Sequence, residues 1–263
     1  MTPLAAPASL LSRDHLLRQW LADAAAVLVP VACLGCGEAD RAVCRRCEPQ
    51  LVPPPARVLD LQPHDFEVVV GLDYDGVVAT VLGALKERGR TDAVAALAPA
   101  LRAVLTVALE RWSAPGLPPP LLVCAPSDRS AVRRRGYRPV DDLVRAAGFH
   151  PGVSRHPRAR PWAAAPLCAP VLALNRPIAD QAGLSAAGRR ANLVGAMTAH
   201  PRVGGRCVLL VDDVLTTGST LLEGRRALEE AGATVLGAAC LAHRERRFVT
   251  PSVTKDDAQV ISR

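Results

Sequence analysis

Apolar positions run along this chain in two rhythms. Short, nearly continuous apolar runs stand at Val68-Val69-Val70-Gly71-Leu72, at Leu121-Leu122-Val123-Cys124-Ala125, from Arg206 to Val211 after its first residue, and at 234–241. Runs of this length, closed by turn residues or acids, predict strands buried on both faces of a parallel sheet. Between them the spacing turns helical. Asp14 can cap a helix whose Leu16, Leu17, Trp20, Leu21, Ala24 and Leu28 share one face, and Pro30 stops it. A long helix is predicted over Thr91 to Trp112, with Pro99 tolerable only near a turn or kink. Shorter helices are predicted over Val140 to Ala147, ended by Gly148, and over Gly218 to Ala231, capped by Gly232. Tyr74 to Leu85 fits either a continued strand or the start of a helix. Residues 150–177 are irregular, with a strand at Val171 to Leu174, and 245–263 form a polar tail. Strands alternating with helices predict an α/β fold around a central parallel sheet flanked by helices. Three parts are expected: a helix with a cysteine-rich module over 1–60, the α/β domain over 61–244, and the tail.

Composition sets the outer limits. Of 263 residues 49% are hydrophobic and 22% charged, enough for a sizeable core and too apolar for wholesale disorder. The most apolar N-terminal stretch, Leu16 to Val31, contains Arg18, Asp23 and Pro30, so no membrane insertion is expected. Arg13, Asp14 and Arg18 also interrupt any signal-peptide core, which points to the cytoplasm, where thiols stay reduced. The net charge is +7, and 30 of the 32 basic residues are arginine, the side chain best suited to phosphates. The charge has an address. Residues 129–190 hold 12 arginines against Asp141, Asp142 and Asp180, a local balance of +9, and the remainder is −2.

Two C-x-x-C pairs, Cys33/Cys36 and Cys44/Cys47, lie seven residues apart. Each can wrap one side of a tetrahedral ion, and Gly35 and Gly37 permit the tight knuckle. The same thiols could make a redox pair, two disulfides or an iron–sulfur site. Two such pairs at close range favour structural zinc. Cys124, Cys168, Cys207 and Cys240 are scattered and read as small core residues.

The strongest chemical signal runs from Cys207 to Thr220. An apolar strand ends in Asp212 and Asp213, followed by Thr216-Thr217-Gly218-Ser219-Thr220 at the start of a helix. Small residues let backbone N–H groups approach a phosphate, hydroxyls add donors, and the helix N-terminus favours an anion. The acids stand at the carboxyl end of a strand, where open α/β sheets bind ligands. There they can accept hydrogen bonds from sugar hydroxyls or hold Mg²⁺.

This segment resembles the ribose-phosphate signature of type I phosphoribosyltransferases. The resemblance places Asp212 and Asp213 on the ribose hydroxyls of phosphoribosyl pyrophosphate and Thr216 to Thr220 on its 5′-phosphate, with Mg²⁺ accompanying the donor. Thr216 stands where some purine-salvage members carry an aspartate, so purine salvage is disfavoured.

Further segments are similar to the ComF family of competence-associated, phosphoribosyltransferase-like proteins. They are the four-cysteine module; Leu85-Lys86-Glu87-Arg88-Gly89; Ala125-Pro126-Ser127 followed by Arg133-Arg134-Arg135-Gly136-Tyr137; and Gln181-Ala182-Gly183-Leu184-Ser185 with Arg189-Arg190 and Asn192. By resemblance, Ala125, Pro126, Ser127, Arg133, Arg135, Arg189, Arg190 and Lys86 fall on the pyrophosphate side. The chain departs at Arg138-Pro139, where the family has Asn-Gln, and at Ser127-Asp128, where it has a more basic turn. Two functions are implied: transfer of the phosphoribosyl group to an acceptor that the sequence does not name, or a non-catalytic role in DNA uptake, binding single-stranded DNA and a helicase-like partner. Aromatic residues are only 3%, which argues against a base-stacking platform. A third use is sensing the donor without turning it over.

Overall fold

The computed structural model describes residues 31–39, 41–114, 117–149, 170–176 and 193–245. The helix expected after Asp14, Cys168, most of the 150–177 stretch, the loop bearing Arg189 and Arg190, and all of the polar tail but Glu245 lie outside them.

The apolar runs become β2 (Glu67–Asp73), β3 (Leu121–Cys124), β6 (Cys207–Leu215) and β7 (Thr234–His243), all mutually parallel where they pair. A short β1 (Arg57–Asp60), at which the pattern predicts nothing, adds antiparallel to β2, so the order is β1-β2-β7-β6-β3 and the sheet is mixed. Alternation along the strands splits the core in two. Val69, Leu122, Leu209 and Val211 pack under α1 (Gly76–Glu87), α2 (Ala93–Trp112) and α4 (Pro139–Ala146). Their neighbours Val68, Val70, Val123, Val208 and Leu210 face the other way, under α5 (Ser219–Glu230). Both faces of the four parallel strands are therefore largely dry, which is why those strands carry continuous apolar runs.

The ambiguous stretch after Tyr74 is helical: α1 buries Val78, Val81, Leu82, Ala84 and Leu85 along one stripe. Pro99 does not end or divide α2, which runs unbroken for 20 residues. Its ring lies on the exposed side, where water can satisfy the carbonyl one turn back. By length and composition α2 is the one helix among the described residues that could cross a membrane. In this fold its Leu97, Leu101, Val104 and Leu105 are core residues against the sheet. Its last residue, Trp112, packs so closely on β7 that a Cβ at Gly237 would lie 2.3 Å from the indole. A seven-residue helix, α3 (Arg129–Arg135), follows β3 and was not expected from the pattern. The strand expected near Val171 is β4 (Leu172–Leu174), paired antiparallel with β5 (Met197–Ala199) in a separate two-stranded sheet. Buried Glu223 ties this small sheet to α5 by accepting the Met197 N–H at 2.9 Å while pairing with Arg226.

Candidate functional site

β6 does not stop at Val211. It continues to Leu215 because β7 runs alongside as far as His243 and keeps the ladder paired, with Asp212 opposite Cys240 and Leu215 opposite His243. The two acids therefore lie within the strand, pointing to alternate faces. Asp213 continues the Leu209–Val211 face toward α1. There its carboxylate, only 7% exposed, meets Lys86 Nζ at 2.8 Å. Asp212 Oδ1 accepts the Asp213 N–H at 2.9 Å. Burial, then the Asp213 charge, pushes the Asp212 carboxyl up to about 7, against the pull of Lys86. Burial opposes the charge on Lys86, but Asp213 and then Asp212 outweigh it and hold the ammonium above its ordinary value.

These groups line one cavity of about 390 Å³ at the carboxyl ends of the strands. Ala125, Pro126 and Ser127 enter it from the end of β3, and Arg135 from α3. Thr216 enters from the loop after β6 and Thr220 from the first turn of α5. Thr217 and Gly218 complete that loop, and Ser219 opens α5 behind it. The Thr217 and Ser219 hydroxyls are 2.8 Å apart, and the Ser219 N–H reaches Thr217 Oγ1 at 3.3 Å. Gly218 has φ +74°, and a Cβ there would sit 2.5 Å from Leu61 Cδ1, so only glycine suits the turn.

Arg133 is exposed on α3 and does not line the cavity. Arg189 and Arg190 fall outside the described residues. The structure adds Tyr74 at the end of β2 and Arg244 at the end of β7, stacked with the guanidinium 5.4 Å from the ring centre. Each stands one residue past the end of a parallel strand, a position at which ligands of open α/β sheets are met, so the strand ends beyond β6 carried a signal for both. It also adds Asp128, whose carboxylate caps α3 by accepting the Ser130 and Ala131 N–H groups at 2.8 and 3.1 Å. The Ser130 hydroxyl, then the Ala131 N–H, hold that carboxyl below its ordinary range. Pro139 occupies the first turn of α4, where its missing N–H costs no helical bond.

A larger groove, about 700 Å³, opens beside α5 between His64, Leu193 and Arg225. It shares only Ser219 with the predicted residues, and its Arg225 and Arg226 are already paired with Glu229 and Glu223. Chemistry, not size, makes the smaller cavity the candidate site.

The four cysteines also converge. Cys33, Cys36, Cys44 and Cys47 bring their sulfurs within 4.8 Å of one another, with Cys36 and Cys44 3.5 Å apart. Four thiolates around a zinc ion at about 2.3 Å would stand about 3.8 Å apart, so the donor set and its spacing fit a closed tetrahedral ion. Despite burial, backbone donors lower the Cys33 thiol to about 6, one of them the Cys44 N–H 3.3 Å from its sulfur.

Comparison with known proteins fits this geometry. The phosphoribosyl transferase domain family matches residues 134–259. The DNA utilization protein YhgH of Salmonella typhi is 30% identical over 189 residues, 72% of this chain and 77% of that protein. The chain belongs to the ComF-type phosphoribosyltransferase-like family. The YhgH protein of Escherichia coli O157:H7 extends the match to 213 residues at 28% identity, 80% of this chain and 87% of the relative. A ribose-phosphate pyrophosphokinase of Methanopyrus kandleri is 52% identical over 44 residues, 16% of this chain and 15% of that enzyme. The chain thus joins a four-cysteine cluster to a phosphoribosyltransferase-type domain.

Proposed function

We propose that the cavity binds phosphoribosyl pyrophosphate, or a ribose 5-phosphate moiety, with Mg²⁺, and that the protein transfers the phosphoribosyl group to an acceptor with release of pyrophosphate. The convergence of Asp212, Asp213, Thr216, Thr220, Ser127 and Arg135 on one cavity supports this reading. The loop from Thr216 to Thr220, with the N-terminus of α5, takes the 5′-phosphate. The acids accept hydrogen bonds from the ribose hydroxyls. Arg135 and the turn at Ala125 to Ser127 face pyrophosphate, joined by Arg189 and Arg190 in the family resemblance. In the reaction the bond from C1 to a pyrophosphate oxygen breaks and a bond from C1 to the acceptor forms. The electron pair leaves with pyrophosphate, and the acceptor gives up a proton. Positive charge grows on the sugar beside the carboxylates while negative charge grows beside Arg135, so both ends of the site have the stabilising sign. Bound with the donor, Mg²⁺ would supply further neutralisation of the pyrophosphate charge. The cysteine cluster holds zinc as a structural ion, in a protein working in the cytoplasm.

Calorimetry with phosphoribosyl pyrophosphate and Mg²⁺ tests the site. The double variant Asp212→Asn/Asp213→Asn should bind at least ~100-fold more weakly, through loss of charge-assisted hydrogen bonds. Unchanged affinity would sink the assignment. Pyrophosphate released in the presence of candidate acceptors separates transfer from sensing.

A second reading has its own support. Two relatives are DNA utilization proteins, and Arg129, Arg133 and Arg134 stand exposed on α3. In that reading these arginines bind single-stranded DNA through its phosphates, beside a helicase-like partner. Such binding must weaken steeply with salt. No affinity for single-stranded DNA at low salt in the same calorimeter removes it.

A further inference from the structure

Lys86 is one of only two lysines in the chain, and the fold gives it a partner 127 positions away. Its ammonium lies 2.8 Å from Asp213 Oδ1. A packed backbone delivers it there. Lys86 sits in the last turn of α1, directly after buried Ala84 and Leu85. The Leu85 carbonyl beside it accepts the Tyr137 hydroxyl, tying this end of α1 to the segment between α3 and α4. Just beyond, Arg90 pairs with Asp92 and donates to the Ala32 carbonyl at 3.1 Å.

The acids and this lysine interlock. Asp213 commits Oδ1 to Lys86, and Asp212 commits Oδ1 to the Asp213 N–H. Each carboxylate thus has one oxygen fixed by the protein, and both carboxylates line the cavity. A vicinal diol presents two O–H donors, which is the complement of that pair. Were Lys86 to swing toward a pyrophosphate, the buried Asp213 would be left uncompensated, an unfavourable exchange.

We infer that Lys86 is a positioning residue for the ribose end of the ligand, acting through Asp213, and does not contact pyrophosphate. This rests on the ribose-phosphate reading of the cavity given above. It also cancels one of the two acidic charges, so recognition of ribose 5-phosphate by the acids needs no divalent cation.

Two probes separate the roles, because ribose 5-phosphate has no pyrophosphate. Full-length wild type, Lys86→Met, Asp213→Asn and the double variant are titrated with ribose 5-phosphate without Mg²⁺ and with phosphoribosyl pyrophosphate plus Mg²⁺. Lys86→Met should weaken both ligands by the same factor, about tenfold. The double variant should bind both no worse than Asp213→Asn alone, since the lysine's effect passes through that carboxylate. Removing both charges together leaves no unpaired buried charge, so the double variant keeps the test alive if Lys86→Met fails to fold. A loss confined to phosphoribosyl pyrophosphate, or a further loss in the double variant, would make Lys86 a direct ligand and overturn the inference. Lys86→Met binding both probes like wild type would reduce the ion pair to packing and overturn it too. If wild type binds phosphoribosyl pyrophosphate but needs Mg²⁺ to bind ribose 5-phosphate, the inference fails and the site assignment stands. If wild type binds neither probe, both fall.

Discussion

Asp212 carries a proton into the neutral range because burial and the Asp213 charge work against its ionised form. Its folded value of about 7 lies above the ordinary 3.8, so the folded state binds the extra proton over that interval. The stability linked to this proton is complete below about pH 4 and is lost as pH rises through about 7. Asp212→Asn, neutral throughout, should therefore gain on the wild type above pH 7 and show no advantage at pH 4. A gain on the order of 1 kcal/mol corresponds to about 2–4 °C in the thermal midpoint of a domain this size. Melting curves at pH 4, 6 and 8 check this, and a constant difference across them would contradict it. The identity of such residues was legible in the sequence, whereas their partners were not. Asp212, Asp213 and Thr216 announce themselves within one short segment. Lys86 meets Asp213 across 127 positions, and Tyr74 and Arg244 meet at the ends of two strands.

Elements follow the same division. β2, β3, β6 and β7 are long apolar runs and could be read directly. α1 could not, because the stretch after Tyr74 is apolar enough to satisfy both rhythms, and only packing of Val81 and Leu85 under the sheet decides it. α3 gave no rhythm at all. It has seven residues, of which Ala131 alone is buried, and its helicity rests on Asp128 accepting the first free N–H groups. Asp128→Ala should cost about 1 kcal/mol at neutral pH. The Asp128 carboxyl titrates below its ordinary value, so its contribution is present above that value and lost as pH falls through the folded one. The penalty of the substitution should accordingly shrink in acid, as read from melting curves at pH 7 and pH 3. An equal penalty at both would mean that the cap is not what the carboxylate supplies. The extension of β6 past the acids was hidden for a different reason. Polar residues look like a strand end, yet pairing with β7 continues as long as β7 does.

For the whole molecule, the cysteine cluster is a second centre of order packed against the first. Gly35 lies close against Cys47, Val77 packs on the cysteine cluster, and Leu34 and Leu51 belong to the main core between the sheet and α1. Losing an ion held there should therefore loosen α1 as well as the knuckle. Wild type should carry about one zinc per chain, and Cys44→Ser should abolish that metal content and lower the thermal midpoint by several degrees. Metal analysis and melting of the purified variant check both, and wild type without zinc would overturn the assignment. This much of the architecture was visible in the sequence: the alternation of strands and helices and the cysteine spacing. The strand order was not, since nothing local tells β7 to insert between β2 and β6.

That insertion has a consequence for how the protein is made. Among the described residues the last strand of the sheet is a central one, placed between β6, made shortly before it, and β2, made far earlier. A growing polypeptide that has not yet extruded Thr234–His243 holds β2 and β6 with no bridge between them, and the cavity walls stay apart. The cavity they line together is thus complete only once that last segment is in place. The slow, long-range closure typical of such topologies is also the moment at which the site first exists.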